Sequence, residues 1–78
     1  MWYVYFLLLN NDDIYVGSTG DLRERIRAHQ SGEVRSTRAY RPVSLSAYVA
    51  VQTERIARQL ERYFKSGSGK AVAMKRFF

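Results

Sequence analysis

The chain has 78 residues and carries 13 lysine and arginine side chains against 7 aspartates and glutamates, for a formal net charge of +6. This length predicts a single domain, residues 1–78, with one small core. The absence of cysteine excludes disulfides and sites built from thiolates. The excess of positive charge is typical of proteins that bind polyanions, and it favours contact with nucleic acid.

The N-terminal part of the chain predicts a β-hairpin. Residues Trp2–Leu8 are aromatic, β-branched or aliphatic, which favours a strand. This apolar run is far shorter than the roughly 20 residues of a membrane span. It also lacks the basic start of a signal peptide, so we expect no membrane partner and a cytoplasmic location. Residues Asn10–Asp13 have turn chemistry, and Ile14–Val16 resumes as a second strand.

Each of these two strands carries a tyrosine that is a candidate for chemistry. A turn with an odd number of residues places Tyr5 and Tyr15 on the same face of the sheet, and an even number separates them. The sequence leaves both registers open. A tyrosine with its ordinary pKa of about 10 is a poor base at neutral pH. A neighbouring cation, such as Arg25, His29 or a metal ion, would lower that pKa.

The first helix is expected to begin at a cap, Thr19 or Asp21, and to run to about Gln30. Arg25 and His29 are four residues apart, so they share the apolar arc that should face inward. An arginine on that side needs a partner, since an unpaired buried charge is expensive. Either an internal carboxylate or an external phosphate can supply one. His29 is the only histidine, which excludes a metal site built from histidines.

The rest of the chain predicts a strand and one or two helices. Residues Val43–Val51 alternate as a third strand, with Leu45 and Ala47 on one face. Residues Thr53–Lys65 predict a second helix capped by Thr53, and Lys70–Phe77 predicts a short last helix. The order is β-β-α-β-α, with or without a terminal α. The predicted fold class is α+β, a small three-stranded antiparallel sheet flanked by helices.

The second helix has an apolar arc and one carboxylate at its edge. We expect the arc to comprise Ile56, Leu60, Tyr63 and Phe64. Glu61, at the edge, either forms a surface ion pair with Lys65 or Arg58 or binds a hard divalent cation. Such a cation takes oxygen ligands and keeps several waters, so one carboxylate with phosphate oxygens is enough. Glu54 is a rival carboxylate and can pair with Arg58.

Residues 33–42 are polar and basic and are expected to form an exposed connection. Guanidinium groups interleaved with hydroxyls suit contact with phosphates, and a solvated loop is the alternative. The candidates for nucleic-acid binding are Arg35, Arg38, Arg41 and, further along the chain, Lys70.

The order and spacing of these residues resembles the GIY-YIG nuclease superfamily, in particular its short stand-alone members. Tyr3–Tyr5 looks like the first signature and Tyr15–Gly17 like the second. Asp21–His29 is similar to the family helix, and Glu61 falls where the family's metal-binding glutamate is expected. Tyr3 stands where the first signature has glycine. The asparagine that several family nucleases use near the end of the domain has no counterpart here.

The resemblance implies hydrolysis of phosphodiester bonds with the help of one metal ion, Mg²⁺ or Mn²⁺. Glu61 would hold that ion against the scissile phosphate, and Arg25 would neutralise charge on the phosphorane. Tyr5 would be the base for the attacking water, with His29 orienting or deprotonating that water. Tyr15 would position water or phosphate.

The expected substrate is DNA recognised by structure or damage, as in repair or recombination, rather than by base sequence. RNA stays open as a substrate. One small active site needs two visits or a dimer to cut both strands, so a homodimer or a larger repair complex is expected as partner. The alternative function is a catalytically weak or silent nucleic-acid-binding module on the same scaffold. A third reading is a component of a larger complex, bound through its aromatic strand edge.

Overall fold

The computed structural model describes residues 1–78 and contains one antiparallel sheet and three helices. The sheet has the spatial order β2-β1-β3, and its strands are Trp2–Leu8 (β1), Ile14–Thr19 (β2) and Ser44–Val51 (β3). The helices are Leu22–Gln30 (α1), Glu54–Lys65 (α2) and Gly67–Phe77 (α3). The α+β class and the order β-β-α-β-α-α are therefore confirmed. No helix combines the length and the apolar character that a bilayer crossing requires.

The register of the hairpin puts the two candidate tyrosines on one face of the sheet. The turn between β1 and β2 covers residues 9–13, which is an odd number. Tyr5 pairs with Gly17, and Leu7 pairs with Tyr15. Since partners in a ladder and residues two apart share a face, Tyr5 and Tyr15 lie on the same side. The register left open by the sequence is thus settled by the length of the turn.

The central strand β1 is buried on both faces. One face packs against α2 and α3, in a core formed by Val4, Phe6, Ile14, Val16, Ala57 and Ala73. The other face packs against α1, in a core formed by Tyr5, Leu7, Leu9 and Val43, with Leu22 and Ile26 partly buried against it. Because both sides of β1 are covered, its sequence is apolar at successive positions rather than alternate ones.

The predicted alternation of β3 is wrong at one position. Ala47 pairs with Phe6 and Leu45 pairs with Leu7, so Ser46 is skipped and the strand has a bulge there. A bulge shifts the register by one residue and turns the following side chains to the other face. Leu45 therefore lies on the α1 side of the sheet, where it is 37% exposed. Ala47 remains on the α2 side, partly buried against its core.

The predicted apolar arc of α2 is also only partly correct. Leu60 and Phe64 pack against the core, but Ile56 and Tyr63 are 41% and 46% exposed. The fully buried residue of this helix is Ala57. A small side chain at the point of contact lets the helix approach the sheet closely, so the buried side runs through Ala57, Leu60 and Phe64 and leaves Ile56 and Tyr63 exposed.

A tight junction joins α2 to α3 and replaces the break expected there. Helix α3 begins at Gly67, three residues earlier than the predicted start at Lys70. Ser66 ends α2 and caps α3, because its side-chain oxygen accepts a hydrogen bond from the Gly69 amide at 3.2 Å. Gly69 is buried against the carbonyl group of Tyr63, with no room for a side chain.

We predict that Gly69→Ala lowers the free energy of unfolding by about 1–3 kcal/mol, because its methyl group would overlap the backbone at Tyr63. Gly67→Ala is the matched control, since a methyl group there meets no atom within 4 Å. The control should leave stability unchanged or raise it slightly. Urea unfolding of both variants tests this, and equal loss in the two would contradict the packing at Gly69.

Candidate active site

A chain of hydrogen bonds joins β1, α1 and the loop that follows α1. The Nε atom of Arg25 donates to the Tyr5 hydroxyl at 3.3 Å. The same hydroxyl lies 2.8 Å from Nε2 of His29, and Nδ1 of His29 lies 2.7 Å from the Thr37 hydroxyl. Tyr5, His29 and Thr37 have almost no exposed surface. Each buried polar atom in this chain therefore has a partner inside the protein.

One arrangement of protons pairs every donor along this chain with an acceptor. In it the Tyr5 oxygen accepts from Arg25, because a guanidinium group only donates, and the Tyr5 hydroxyl donates to Nε2 of His29. Nδ1 of His29 then carries the ring proton and donates to the Thr37 hydroxyl. Burial, together with the nearby charge of Arg25, lowers the pKa of His29 to about 4. His29 is therefore a neutral acceptor at pH 7 rather than a cation.

Arg25 has the partner that its place on the inward face demands, but that partner is not a carboxylate. Its hydrogen bond to Tyr5 raises the pKa of the guanidinium. Burial raises the pKa of the Tyr5 phenol, and the hydrogen bond from Arg25 offsets this only in part. The phenol stays neutral, so the positive charge of Arg25 has no internal counter-charge. The sequence allowed two partners for this charge, an internal carboxylate or an external phosphate. Since no carboxylate is present, the external anion is the partner still available.

Tyr15 lies beside this chain and is only half-buried. Its ring centroid is 5.1 Å from that of His29 and 6.4 Å from that of Tyr5. Gly17, two residues later, faces Tyr5 across the ladder, and a Cβ atom there would lie 2.5 Å from Cζ of Tyr5. The Tyr-x-Gly spacing therefore has a physical reason. Strand β2 supplies Tyr15, and its Gly17 leaves the space that the ring of Tyr5 occupies.

Glu61 approaches the same edge strand from the opposite layer. The Ser18 hydroxyl donates to Oε1 of Glu61 at 2.5 Å, and Nζ of Lys65 donates to Oε2 at 2.7 Å. Burial alone would raise the pKa of Glu61, but these two hydrogen bonds, together with the positive charges of Lys65 and Arg58, outweigh it and leave the pKa below its ordinary value. The predicted pair with Lys65 is thus present, and the rival Glu54 pairs with Arg58 at 2.7 Å.

Lys65 connects the two halves of the site around β2. Its Nζ atom lies 5.9 Å from the centre of the Tyr15 ring and also holds Glu61. Tyr15 and Ser18 point to opposite faces of β2, because their positions differ by an odd number. The structure therefore brings Tyr5, Arg25 and His29 together on one face and places Glu61 at the other face of the same edge strand.

The oxygen atoms around Glu61 fit a hydrated divalent cation rather than a closed protein cage. No group of three or more histidine, cysteine or carboxylate side chains is close enough to hold a metal ion. Mg²⁺ is commonly bound by one or two carboxylates, with waters and substrate phosphates completing its shell. The ionised Glu61 carboxylate and the Ser18 hydroxyl are hard donors of that kind.

Two of the four basic residues predicted to bind nucleic acid, Arg41 and Lys70, contact the turn of the β1–β2 hairpin. Asn10 donates to the carbonyl of Arg41 at 2.8 Å, and Lys70 forms an ion pair with Asp13 at 3.1 Å. Arg35 and Arg38 are exposed in the loop after α1.

The same loop is more than the exposed connection expected from its sequence. Val34 and Thr37 are buried, and residues Arg38–Tyr40 form a 3₁₀ turn. Sequence reasoning missed Thr37 as a site residue, because a single inward threonine in a polar loop leaves no periodic pattern.

A family model described as the GIY-YIG catalytic domain matches residues 1–76. The chain belongs to the GIY-YIG family. The resemblance seen in the sequence is confirmed, and membership in this family of nuclease domains supports endonuclease activity in general. GIY-YIG nucleases typically use divalent metal ions, which agrees with the donor set at Glu61.

The curated relatives of this GIY-YIG chain are UPF0213 proteins. One from Bacillus velezensis is 42% identical over 64 residues, which are 81% of this chain and 65% of that protein. One from Bacillus pumilus is 39% identical over 69 residues, 87% of this chain and 70% of the relative. The chain thus spans about two thirds of the length of these relatives. No solved structure matches it significantly.

We predict that the protein loses about 2 kcal/mol of stability between pH 7 and pH 5 through His29 alone. The unfolded histidine, with its ordinary pKa of 6.5, takes up a proton that the folded one, at about 4, does not. The free energy of unfolding is therefore highest above about pH 6.5, where His29 is neutral in both states. It falls as the pH falls toward 4, because only the unfolded state takes up the proton. Urea unfolding at both pH values should show a smaller loss in His29→Gln, and an equal loss would contradict the neutral His29.

Proposed function

We propose that this chain is a divalent-metal-dependent endonuclease that hydrolyses phosphodiester bonds in DNA. The observation that carries the proposal is the placement of Arg25, a cation without a carboxylate partner, beside Tyr15 and at the same edge strand as Glu61. A phosphate lying against β2 would meet all three groups. The proposed site consists of Tyr15, Arg25 and Glu61, which would contact the substrate or the metal ion, and of Tyr5 and His29, which would position them.

Arg25 is the electrostatic part of the proposed mechanism. Its guanidinium group is oriented by Tyr5, which leaves its remaining donors for a phosphate. Negative charge grows on the phosphoryl oxygens as a nucleophile attacks, and a fixed cation stabilises that charge more than it stabilises the ground state. The hydrogen-bond chain through His29 and Thr37 holds Arg25 and Tyr5 in place, so little reorganisation is needed during the reaction.

The two tyrosines have different roles in this proposal. Tyr5 and His29 have almost no exposed surface, which favours a positioning role for both. Tyr15 is half-buried at the edge strand and is the phenol that solvent reaches. We therefore assign the contact with the attacking water to Tyr15 and the orientation of Arg25 to Tyr5. This is the reverse of the division expected from the sequence.

Glu61 is the residue that would hold the metal ion, with Ser18 beside it. When bound, one Mg²⁺ or Mn²⁺ ion would neutralise the phosphate and stabilise the leaving oxygen. Lys65 keeps Glu61 ionised and oriented through their ion pair. Its ammonium group supplies a second positive charge at the same place, which favours binding of an anionic substrate.

The proposed substrate is DNA with a structural feature or lesion, in repair or recombination. Residues 1–78 act in this proposal as one domain. The exposed cations Arg35, Arg38, Arg41 and Lys70 are proposed to contact the DNA backbone. A homodimer or a larger repair complex is the proposed arrangement for cutting both strands, in the cytoplasm.

We predict that Glu61→Gln slows metal-dependent cleavage by at least about a hundredfold, because the metal loses its charged ligand. Arg25→Ala should slow it by about 10²–10³-fold through the loss of charge stabilisation. Initial rates on plasmid, flap and branched DNA, with Mg²⁺ or Mn²⁺ and with chelator, give the measurement. Glu54→Gln is the matched control on the same helix, since its carboxylate pairs only with Arg58.

The same experiment separates an enzyme from a silent binding module. An enzyme keeps most of its DNA affinity in chelator when Glu61 is replaced, while turnover disappears. A wild-type protein that binds DNA but cleaves none of the substrates with either metal would refute the catalytic proposal. Loss of cleavage in Glu54→Gln to the same extent would show that Glu61 has no special role.

A second prediction concerns the tyrosines. Tyr15→Phe should lower the cleavage rate by about 10²–10⁴-fold, because the phenol that meets water loses its proton-transfer group. Tyr5→Phe should lower the rate less and reduce the free energy of unfolding by about 1–3 kcal/mol, since it leaves His29 without its partner. Rates and urea unfolding of both variants check this. Full activity in Tyr15→Phe with none in Tyr5→Phe would reverse the roles.

A further inference from the structure

The outer face of α2 carries a row of cations that sequence reasoning did not select. Arg55, Arg58, Arg62 and Lys65 are all exposed. Their spacing of three and four residues puts them on neighbouring turns of one helix face. We call these four residues the α2 stripe. Glu61 lies between this stripe and the buried side of the helix.

The charge of the α2 stripe is only partly compensated within the protein. Arg58 pairs with Glu54, and Lys65 pairs with Glu61. Arg55 and Arg62 have no carboxylate within ion-pair distance. The contrast with α1 is informative, because its exposed Arg27 is held by Glu24 and Glu33 at 2.6 and 2.7 Å. Arg27 of α1 is therefore held by two carboxylates, whereas Arg55 and Arg62 of α2 are held by none.

The surface along the α2 stripe is concave and leads to the proposed metal ligand. Two open hollows of about 580 and 490 Å³ lie side by side on it, and neither has an apolar lining residue. Both are lined by Arg58 and Arg62, and the second also contains Ser18, Glu61 and Lys65. At about 1.5 Å per residue, the stripe from Arg55 to Lys65 is about 15 Å long. That length covers several phosphates of a DNA strand, which follow at about 3.4 Å of helix axis.

We propose that the α2 stripe binds the phosphate backbone of one DNA strand and leads it to Glu61. The proposal rests on the proposed function, since Glu61 is the assigned metal ligand, and it adds the path by which the substrate reaches that residue. Arginine forks recognise phosphate well, and neither hollow has an apolar or aromatic residue on which a base could stack. The binding therefore rests on charge and is sensitive to salt.

The test compares two double variants that each remove two positive charges. R55Q/R62Q removes the two unpaired arginines of the stripe, and glutamine preserves the helix. R23Q/R76Q is the matched control, because Arg23 and Arg76 are exposed on α1 and α3 and form no ion pair. Fluorescence anisotropy with a labelled DNA duplex, in chelator and between about 50 and 200 mM salt, gives Kd at each salt concentration. The slope of log Kd against log salt should fall by about 2 in the stripe variant and stay near the wild-type value in the control.

Three results would overturn the proposal: an unchanged slope in R55Q/R62Q, an equal change in both double variants, or no binding of DNA by the wild type. Cleavage assays on the same proteins keep this proposal separate from the catalytic one. If the wild type cleaves DNA and R55Q/R62Q binds DNA normally, only the role of the α2 stripe in DNA binding is refuted. A wild type that never cleaves, with binding that depends on the stripe, refutes the nuclease mechanism alone.

Discussion

The hydroxyl group of Tyr5 joins the central strand of the sheet to helix α1, and the rest of the site is arranged around it. It accepts from Arg25 and lies 2.8 Å from His29 in a region without solvent. A hydrogen bond in such a place has few competitors, so breaking it leaves buried polar atoms unpaired. The same contact that orients Arg25, the cation of the proposed mechanism, therefore also fixes α1 on the sheet. In that mechanism, function and stability are coupled at this one oxygen atom.

Much of the fold was predictable because it follows from local patterns. The apolar run of β1, the turn residues Asn10–Asp13 and the caps at Asp21 and Thr53 each leave a direct signal in the sequence. The partly wrong elements are those decided by tertiary contacts. The bulge at Ser46 depends on how β3 meets β1, and the rotation of α2 depends on the small side chain of Ala57. Neither contact is visible within a window of neighbouring residues.

The candidate site, too, could be predicted where it depends on neighbouring residues, but not where it depends on contacts between distant segments. Arg25 and His29 could be placed together because helical periodicity relates positions four apart. The partnership of His29 with Thr37 could not be predicted, since it joins a helix to an irregular loop. The α2 stripe was overlooked for a different reason. Its arginines look like an ordinary solvated helix face until the structure shows which of them have carboxylate partners and how close they lie to Glu61.

The edge strand β2 carries the site on both of its faces, which constrains how this part of the chain can change in evolution. Tyr15 lies on the face with Arg25, and Ser18 lies on the face with Glu61. Inserting or deleting one residue within β2, between Tyr15 and Ser18, would turn one of these two side chains to the wrong face and separate it from its partners. An extra residue in the turn at residues 9–13 leaves the pairing of the two strands, and therefore both faces, unchanged. The turn can thus vary in length, whereas the short stretch from Tyr15 to Ser18 cannot.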